Sequence, residues 1–417
     1  MKLTTKILIG LVLGIVSGIV AQSVGGVALS IVLALEPIGT VFIRLISMVV
    51  VPLVVASLLL GVASVGDVRA VGRIGGKALG YFLFTTVIAA MIGLGLGLAV
   101  QPGSSIESDQ RDAIAAQYSD RGEESAERAQ TVSLMERFVA IIPRNPVAAA
   151  ANMDLLGLIF ATLAFGAALS GLPAERREPV VAFFGGVNAA AAVIIDWVMK
   201  LAPYAVFVLI AGALARFGAD LLQALLVYSV LVIAGELFHT FVVLSGMLKF
   251  AGISVRAFWK HVAAAPILAF STASSNATLP VSLEVSEKNL GVSNEVASFV
   301  LPVAATLNMN GSALYKALTA VFVAQVYGVP LGGAEYVVII VTATLAALAG
   351  VGVPGSSLVT TLIVLTAIGM GAEAAAGIAL VAGLDRFLDM FRTGTNIVGD
   401  LTAAAIVAKS EGETLNA

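Results

Sequence analysis

The chain has 417 residues, of which 59% are hydrophobic and 12% are charged, and its mean hydropathy is +1.02. Soluble domains contain about 45–50% apolar and about 25% charged residues, so this composition excludes an ordinary soluble domain and indicates a membrane protein with several spans. The net charge of −3, without a basic run, gives no indication of a nucleic-acid partner. The lack of cysteine excludes disulfides, thiolate metal sites and thiol catalysis.

The amino terminus combines two lysines with an apolar run, as a signal peptide does. The run continues to about residue 35 without a convincing cleavage site, whereas the apolar part of a signal peptide covers about 7–15 residues. We therefore expect the first apolar segment to be retained as a membrane span.

Six apolar segments are long enough to cross a bilayer, which takes about 20 residues. Basic residues in the connections after the second and fourth segments fall on the same side as Lys2 and Lys6, which predicts a cytoplasmic amino terminus. The acidic insert at 101–136 then lies outside, and its composition is typical of a mobile loop. The six segments cover residues 7–35, 38–65, 79–100, 147–171, 180–215 and 222–249.

After residue 261 the apolar segments are interrupted by clusters of small and polar residues. The cluster at 271–280 precedes a segment broken at 306–312, and the cluster at 350–357 precedes a polar helix at 385–400. One alternative places both clusters in Gly/Pro loops outside the membrane. The flanking apolar pieces of roughly 12–15 residues are too short to span, however, so the pattern favours two re-entrant hairpins in inverted repeats around a midplane site.

The segment 385–400 places charged residues within a very apolar region of the chain. At 100° per residue, Asp385, Asp389, Arg392, Asn396 and Asp400 form a stripe about 80° wide and about 22 Å long. Ionisable groups at membrane depth are costly unless they are paired or line a wet cavity. The stripe therefore predicts a functional site.

The residue types in this stripe favour an acidic zwitterion as ligand. Arg392 suits bidentate capture of a carboxylate, and Asp389 suits an ammonium group. The alternative is an internal ion pair of Arg392 with Asp385 or Asp389 that only joins helices. Asp400, Asn396 and Asn308 add hard oxygen ligands near the broken segments, which is chemistry that fits an alkali cation.

The two histidines do not favour metal catalysis, because His239 and His261 are far apart and have no zinc-type spacing. Glu236 and His239 lie three residues apart on one helix face. Their role is either packing and hydrogen bonding or the handling of protons.

The chain resembles the dicarboxylate/amino acid:cation symporter family, to which glutamate and aspartate transporters belong. The likeness covers nearly the whole chain. Its most specific parts are the segments 36–53, 271–280, 308–312, 352–355 and 385–400.

The resemblance implies an all-α polytopic membrane fold with eight transmembrane helices, two re-entrant hairpins and inverted repeats. It also implies a homotrimer that works by an elevator mechanism, in which a transport domain moves against a scaffold. The implied parts are scaffold helices 1–2 at 1–78, transport-domain helix 3 at 79–100, an extracytoplasmic loop at 101–146, scaffold helices 4–5 at 147–216, the remaining transport domain at 217–410 and a cytoplasmic tail at 411–417.

By the same resemblance, Arg392 binds the side-chain carboxylate of the substrate, with Ser312 assisting and Asp385 orienting the guanidinium. Asp389 and Thr393 face the amino group, and Asn396 with hairpin residues takes the main-chain carboxylate. The full implied substrate set is Ala273, Ser274, Ser275, Met309, Ser312, Val353, Asp385, Asp389, Arg392, Thr393 and Asn396.

The resemblance further implies two cation sites, with sodium as the coupling ion and a proton as the alternative. One site uses Asn308, Asn396, Asp400 and the carbonyl of Ala304. The second uses the carbonyls of Thr306, Ala347, Leu348 and Gly350.

Several positions depart from the pattern of sodium-coupled relatives. Asn310 replaces an aspartate and Phe82 a tyrosine at a third cation site, where Thr85 and Thr86 remain. We expect this site to be degraded, because it lacks its only carboxylate. Lys316 occupies the position where proton-coupled animal relatives carry a glutamate, with Glu236 as a candidate partner. Ala273 stands where archaeal relatives have an arginine, for which Arg386 is a candidate replacement.

The sequence thus predicts a transporter, not an enzyme, that carries aspartate or glutamate with cations across the inner membrane and has both termini in the cytoplasm. Retention of Asp389 argues against a C4-dicarboxylate carrier, which has no ammonium to bind, while Asn310 favours the proton-coupled alternative. An anion channel would need a continuous polar path, and a hydrolase would need a serine–histidine pairing, which the sequence does not offer. No cofactor is expected.

Overall fold

The computed structural model describes residues 3–63, 72–104, 142–152, 155–348, 356–370 and 372–417, and these ranges form helices and connections without a strand. The predicted all-α class is confirmed for this part of the chain. Its α-helices are α1 Leu3–Val24, α2 Gly26–Ala34, α3 Glu36–Ala63, α4 Gly72–Val100, α5 Pro146–Ala151, α6 Leu155–Ser170, α7 Ala174–Met199, α8 Ala202–Phe238, α9 Ser245–Phe250, α10 Val255–Val262, α11 Ala264–Thr272, α12 Ser275–Glu284, α13 Asn294–Leu307, α14 Asn310–Val326, α15 Gly333–Leu348, α16 Ser356–Ala367 and α17 Ala372–Ser410.

Four stretches in the described ranges are long and apolar enough to cross a membrane by length and composition. They are Thr5–Val24, Arg73–Val100, Ala174–Met199 and Leu221–Phe250. Shorter apolar helices, such as Gly157–Ser170 and Gly333–Leu348, lie between them.

The predicted segments 180–215 and 222–249 differ from the helices that form. The chain bends at Lys200 and Leu201, because Pro203 lies in the first turn of α8, where a proline without an amide hydrogen is tolerated. The helix α8 then continues without a break to Phe238, through the predicted boundary at 216/217. A π-helical stretch, His239–Leu244, joins it to α9.

The first predicted hairpin is formed by α11 and α12, which pack against each other. Ala273 adopts a left-handed conformation with φ of 50°, which ends α11. Ser274 then caps α12 by accepting a hydrogen bond from the amide of Ala277 at 3.2 Å. We call this unit hairpin 1.

A second interruption separates α13 from α14 at Asn308 and Met309, whose backbone angles are not helical. The amide of Asn308 still donates to the carbonyl of Ala304 at 2.8 Å. The predicted break within 306–312 is therefore present.

The second predicted hairpin consists of α15 and α16, which also pack against each other and which we call hairpin 2. Its tip at 349–355, with Gly350, Val353 and the segment 352–355, lies outside the described residues. Most of the predicted loop, at 105–141, lies outside them as well.

The helix α17 passes through two hydrophobic cores. The larger core joins its first half to α1, α3, α6, α7, α8, α14, α15 and α16, and the second joins its last half to α10, α11, α13 and the start of α4. The polar stripe of α17 therefore lies next to the break between α13 and α14.

Candidate functional site

Arg392 is fully buried and bridges two carboxylates of its own helix. Its Nη1 lies 2.8 Å from Oδ1 of Asp385, and its Nη2 lies 2.7 Å from Oδ1 of Asp389. The guanidinium carbon also lies 4.1 Å from the centroid of the Tyr315 ring, which is a cation–π contact. The guanidinium is thus held by Asp385, Asp389 and the ring of Tyr315.

This geometry has the form of the internal ion pair that the sequence leaves as an alternative. Charge-assisted hydrogen bonds of this kind offset the cost of a buried arginine. A ligand carboxylate that binds Arg392 must therefore compete with Asp385 and Asp389. Asp389 displaced from the guanidinium would then be available to an ammonium group.

Asn396 connects the stripe to the start of α14. Its Oδ1 accepts from the amide of Gly311 at 2.9 Å, and its Nδ2 lies 3.2 Å from the sulfur of Met309. Gly311 is required here, because a Cβ at this position would lie 2.7 Å from the carbonyl oxygen of Arg392. The predicted substrate residues of the helix break and of α17 are therefore neighbours.

The first predicted cation site contains Asn308 and Asp400, both of which are buried. Nδ2 of Asn308 donates to Oδ1 of Asp400 at 2.9 Å. Helix α17 approaches the break so closely that a Cβ on Gly399 would lie 2.8 Å from Nδ2 of Asn308. Rotation of this amide would turn its oxygen toward Asp400 and give two oxygen ligands at one point.

Three of the four residues predicted for a third, degraded cation site, namely Thr85, Thr86 and Asn310, lie together. The Oδ1 atom of Asn310 accepts hydrogen bonds from Thr86 at 2.9 Å and from Thr85 at 3.2 Å, and Phe82 is buried in the core beside α13. The Nδ2 atom of Asn310 has no hydrogen-bond partner in the described part of the chain. An amide with its oxygen already engaged is a poor replacement for a carboxylate in cation binding.

Hairpin 1 is connected to α17 by Arg386. Its Nη2 lies 3.4 Å from the carbonyl oxygen of Thr272, and its Nη1 lies 3.6 Å from Oδ2 of Asp389. Arg386 thus lies between hairpin 1 and Asp389, and its role as a replacement for the arginine that hairpin 1 lacks stays a prediction. Ser275, just beyond the tip, is buried.

Hairpin 2 contacts α14 through two serines. The hydroxyls of Ser312 and Ser357 lie 3.0 Å apart. Thr393, also expected near the substrate, donates to the carbonyl of Asp389 within α17 at 2.8 Å. For the second cation site, Thr306 lies near the end of α13 and Ala347 with Leu348 at the end of α15, and these two helices touch.

The candidate pair of Lys316 and Glu236 does not form. Nζ of Lys316 and both carboxylate oxygens of Glu236 are buried and have no hydrogen-bond partner in the described residues. Oε2 of Glu236 lies against Gly311, and Lys316, five residues further along α14, lies about 140° around the helix. Both nitrogens of His239 also lack a partner in these ranges.

Sequence reasoning did not assign roles to Tyr315 and Ser357. Tyr315 follows Gly311 by one turn and therefore shares the α14 face that contacts Arg392. This spacing could have identified it. The contact of Ser357 depends on how hairpin 2 packs, which no local spacing specifies.

Broken helices that bring a buried cation, carboxylates and amide oxygens to one place are the arrangement of a secondary transporter. The family model described as "Sodium:dicarboxylate symporter family" matches residues 3–410 of the chain. The chain belongs to this family, which confirms the resemblance read from the sequence. It is a multi-pass membrane transporter and not an enzyme.

The curated relatives of this chain include proteins named as glutamate symporters and as C4-dicarboxylate transporters. The proton/sodium-glutamate symport protein of Geobacillus stearothermophilus is 38% identical over 412 residues, covering 99% of this chain and 95% of the relative. The proton/glutamate-aspartate symporter of Escherichia coli K12 is 36% identical over 379 residues, covering 90% and 85%. The C4-dicarboxylate transport protein of Bacillus subtilis 168 is 30% identical over 414 residues, covering 99% and 93%.

Proposed function

We propose that the protein is a secondary active symporter that carries glutamate or aspartate across the inner membrane together with cations. The observation that carries this proposal is the guanidinium of Arg392, fully buried between Asp385 and Asp389 and beside the helix break. The buried and permanently charged guanidinium group suits bidentate binding of a ligand carboxylate. The carboxylates around it suit a ligand that also carries an ammonium group.

The same geometry favours an acidic amino acid over a dicarboxylate. A dicarboxylate would leave Asp389 facing a second anion, whereas an α-amino group would pair with it. The relatives named for glutamate are 38% and 36% identical, and the relative named for C4-dicarboxylates is 30% identical. The charge of Asp389 and the sequence identities of the relatives both support an amino acid as the substrate.

For the bound substrate, Arg392 and Ser312 take the side-chain carboxylate, and Asp389 with Thr393 takes the amino group. The amide of Asn396 and the tip of hairpin 1 take the main-chain carboxylate. Hairpin 2 closes over the ligand, and its present contact between Ser357 and Ser312 supports this role.

For the cations, two sodium ions bind, one at Asn308 and Asp400 and one at the carbonyl ends of α13 and α15. The third site carries no ion, because Asn310 supplies an amide where a carboxylate is needed. Coupling to protons is the second candidate. It is favoured by the same asparagine, which resembles a permanently protonated acid, and by the names of the relatives.

At the scale of the fold, we expect eight membrane spans and two re-entrant hairpins in a homotrimer, with both termini in the cytoplasm. The transport domain, 79–100 with 217–410, moves against the scaffold as an elevator. The short helices of hairpin 1 and hairpin 2 support the re-entrant reading, since α11 with 9 residues and α16 with 12 are too short to span.

Calorimetric titration of the purified full chain with glutamate, aspartate and succinate, at zero and at high sodium, tests this function. We expect one of the two amino acids to bind, with an affinity that rises with sodium, and succinate to bind more weakly. Succinate binding as tight as that of both amino acids, or no binding of any of the three, would overturn the proposal.

A further inference from the structure

Glu236 is a buried acid near the substrate site, and the sequence leaves its role open between packing and the handling of protons. It lies on α8, its residue is only 1% exposed, and neither carboxylate oxygen has a hydrogen-bond partner in the described residues. Oε2 lies 2.7 Å from the position that a Cβ on Gly311 would take, and the carbonyl oxygen of Arg392 lies equally close to that position. The carboxylate therefore lies directly behind the backbone of the substrate-binding arginine.

The groups next to this carboxylate are mainly acceptors. The carbonyl of Arg392 has no proton to donate, and the hydroxyl of Thr395, which lies beside the carboxylate, is 3.1 Å from that of Thr240. When the Thr395 hydroxyl donates to Thr240, an ionised Glu236 receives no hydrogen bond in the described residues. Protonation removes the buried charge and turns one carboxylate oxygen into a donor.

The charged groups on every packed element leave no counter-ion in contact with Glu236. No ion pair joins Glu236 to a cation in the described residues, and the fork of Arg392 is turned to Asp385 and Asp389. Hairpin 1 and its preceding helix carry Arg256, Lys260 and Glu284, which are exposed, and His261, which is half-buried, and the part of α4 at 79–100 has no charged residue. The other titratable or charged side chains on the nearby parts of α8, α14, α17 and the π-helical stretch are Tyr228, His239, Tyr315, Lys316, Asp385, Arg386, Asp389 and Asp400, and none of them has a hydrogen bond to Glu236 within the described ranges.

A cavity of about 450 Å³ reaches this carboxylate between α8, hairpin 1 and α17. Its wall is mostly apolar, with Trp259 and Phe391 among its residues, and it includes Thr240, Ser271 and Thr395, whose side chains carry hydroxyls. At about 30 Å³ per water, this volume has room for several molecules that could bring a proton to the acid.

We propose that Glu236 is the proton-binding site of this transporter, protonated through the cavity when the acidic substrate binds. The proposal rests on the function given above and adds a proton to its coupling ions. Transfer is a simple protonation: a proton from bulk solvent is relayed along water in the cavity to Oε1 or Oε2, which becomes a hydroxyl, and each water that passes a proton on receives another from the solvent side.

Coupling to the substrate follows from charge. An ionised Glu236 and an acidic substrate repel each other across Arg392, and both draw on the same positive charge. Neutralising Glu236 removes this repulsion, so the proton favours the substrate. By reciprocity, the substrate favours the proton to the same extent.

The test measures protons taken up on glutamate binding by calorimetry at saturating sodium, in buffers of different ionisation enthalpy and at several pH values. We expect the wild-type chain to take up close to one proton per glutamate at the pH of maximal uptake. Glu236→Gln, which mimics the protonated acid, should bind glutamate with proton uptake reduced to near zero. His239→Gln and Lys316→Met, which remove the other buried unpartnered groups, should retain the uptake.

Proton uptake that persists in Glu236→Gln, or that is lost in His239→Gln or Lys316→Met instead, would overturn the proposal while leaving the amino acid assignment intact. A wild-type chain that binds glutamate without any uptake would overturn it equally. No glutamate binding by the wild type would instead remove the proposed function.

If Glu236→Gln does not fold, infrared difference spectra of the wild-type chain with and without glutamate replace it. We expect the C=O band of a newly protonated carboxyl group, shifted in frequency by Glu236→Asp. A spectrum without such a band, or a band that Glu236→Asp leaves unchanged, would count against the site.

Discussion

Arg392 makes two ion pairs, and this sharing determines what each neighbouring aspartate does when a ligand arrives. A substrate carboxylate must displace at least part of the contacts at 2.8 and 2.7 Å. Asp385, nearly two turns before Arg392, can retain its bond and keep the guanidinium in place. Asp389, one turn away and also near Arg386, is the carboxylate that can turn to an ammonium group.

Asp389→Asn should therefore separate amino acids from dicarboxylates. Loss of a charge-assisted hydrogen bond of about 1.5–3 kcal/mol lowers glutamate affinity by roughly 10- to 150-fold. Succinate, which has no amino group, should lose much less. Calorimetric titration checks both ligands, with Asp385→Asn as the matched variant that should weaken both; equal losses in Asp389→Asn would contradict this assignment.

Asn310→Asp should restore a third cation site. Its Oδ1 already lies 2.9 Å from the hydroxyl of Thr86 and 3.2 Å from that of Thr85, so a carboxylate here gains oxygen neighbours and a negative charge. Glutamate affinity should then depend on sodium concentration with a slope higher by about one ion. An unchanged slope would show that the wild-type asparagine is not what limits the number of sodium ions.

At the scale of secondary structure, α17 approaches the break between α13 and α14 most closely at Gly399, which has no side chain of its own. A Cβ on Gly399 would meet Nδ2 of Asn310 at 2.7 Å and Nδ2 of Asn308 at 2.8 Å, whereas one on Gly394 of the same helix would meet nothing within 4 Å. The two glycines therefore offer a matched pair of substitutions.

Gly399→Ala should push Asn308 away from Asp400 and weaken sodium binding by roughly 10-fold or more, since overpacking costs about 1–3 kcal/mol. Gly394→Ala, with open space around it, should leave sodium binding near the wild-type value. The measurement is the sodium concentration that half-saturates glutamate binding. Equal values for the two variants would be inconsistent with the first cation site.

The element pattern was largely predictable where local chemistry defines it. Small and polar clusters marked hairpin 1 and the break at Asn308, and the stripe of α17 followed from its helical period. The break near 200 and the continuity of α8 through 216 were not predicted, because the long apolar run hides the helix start near Pro203 and the polar residues near 216 do not end the helix.

Side-chain pairing between helices was predictable only in part. Arg392 with Asp385 and Asp389 lies on one helix, so spacing alone brings the three together. The pair of Lys316 and Glu236 was wrong, because its formation depends on the rotation of α14 against α8. Packing of Leu314 against Gly235 and of Gly311 against Glu236 defines this rotation.

At the scale of the whole molecule, charged residues connect the residues just beyond α17 to the starts of α4 and α13. Arg73 and Lys77 at the start of α4 both contact Glu411 just beyond α17, with Nζ of Lys77 at 2.7 Å. Glu413 accepts from the amide of Ser293 at 2.9 Å, next to the start of α13. These contacts join α4, α13 and α17 at one end.

The hydrogen bond from Lys77, together with the charge of Arg73, lowers the pKa of Glu411 from its ordinary value of 4.5. A carboxyl group whose pKa is lowered by folding stabilises the fold at pH values above its ordinary pKa of 4.5. This contribution is lost as the pH falls through the lowered pKa. Glu411→Gln should therefore lower the Tm slightly at neutral pH and not at strongly acidic pH. Thermal unfolding across this range checks it, and a Tm difference that grows on acidification would contradict it.

The central claim is that Arg392 holds the acidic group of an amino acid substrate. Its most direct test is calorimetric titration of glutamate against Arg392→Ala, with the exposed Arg256→Ala as control. Truncating one partner of a buried charge pair costs about 2–5 kcal/mol, so glutamate affinity should fall by roughly 30-fold to several thousand-fold, while Arg256→Ala binds as the wild type does. Glutamate affinity unchanged in Arg392→Ala would contradict the account.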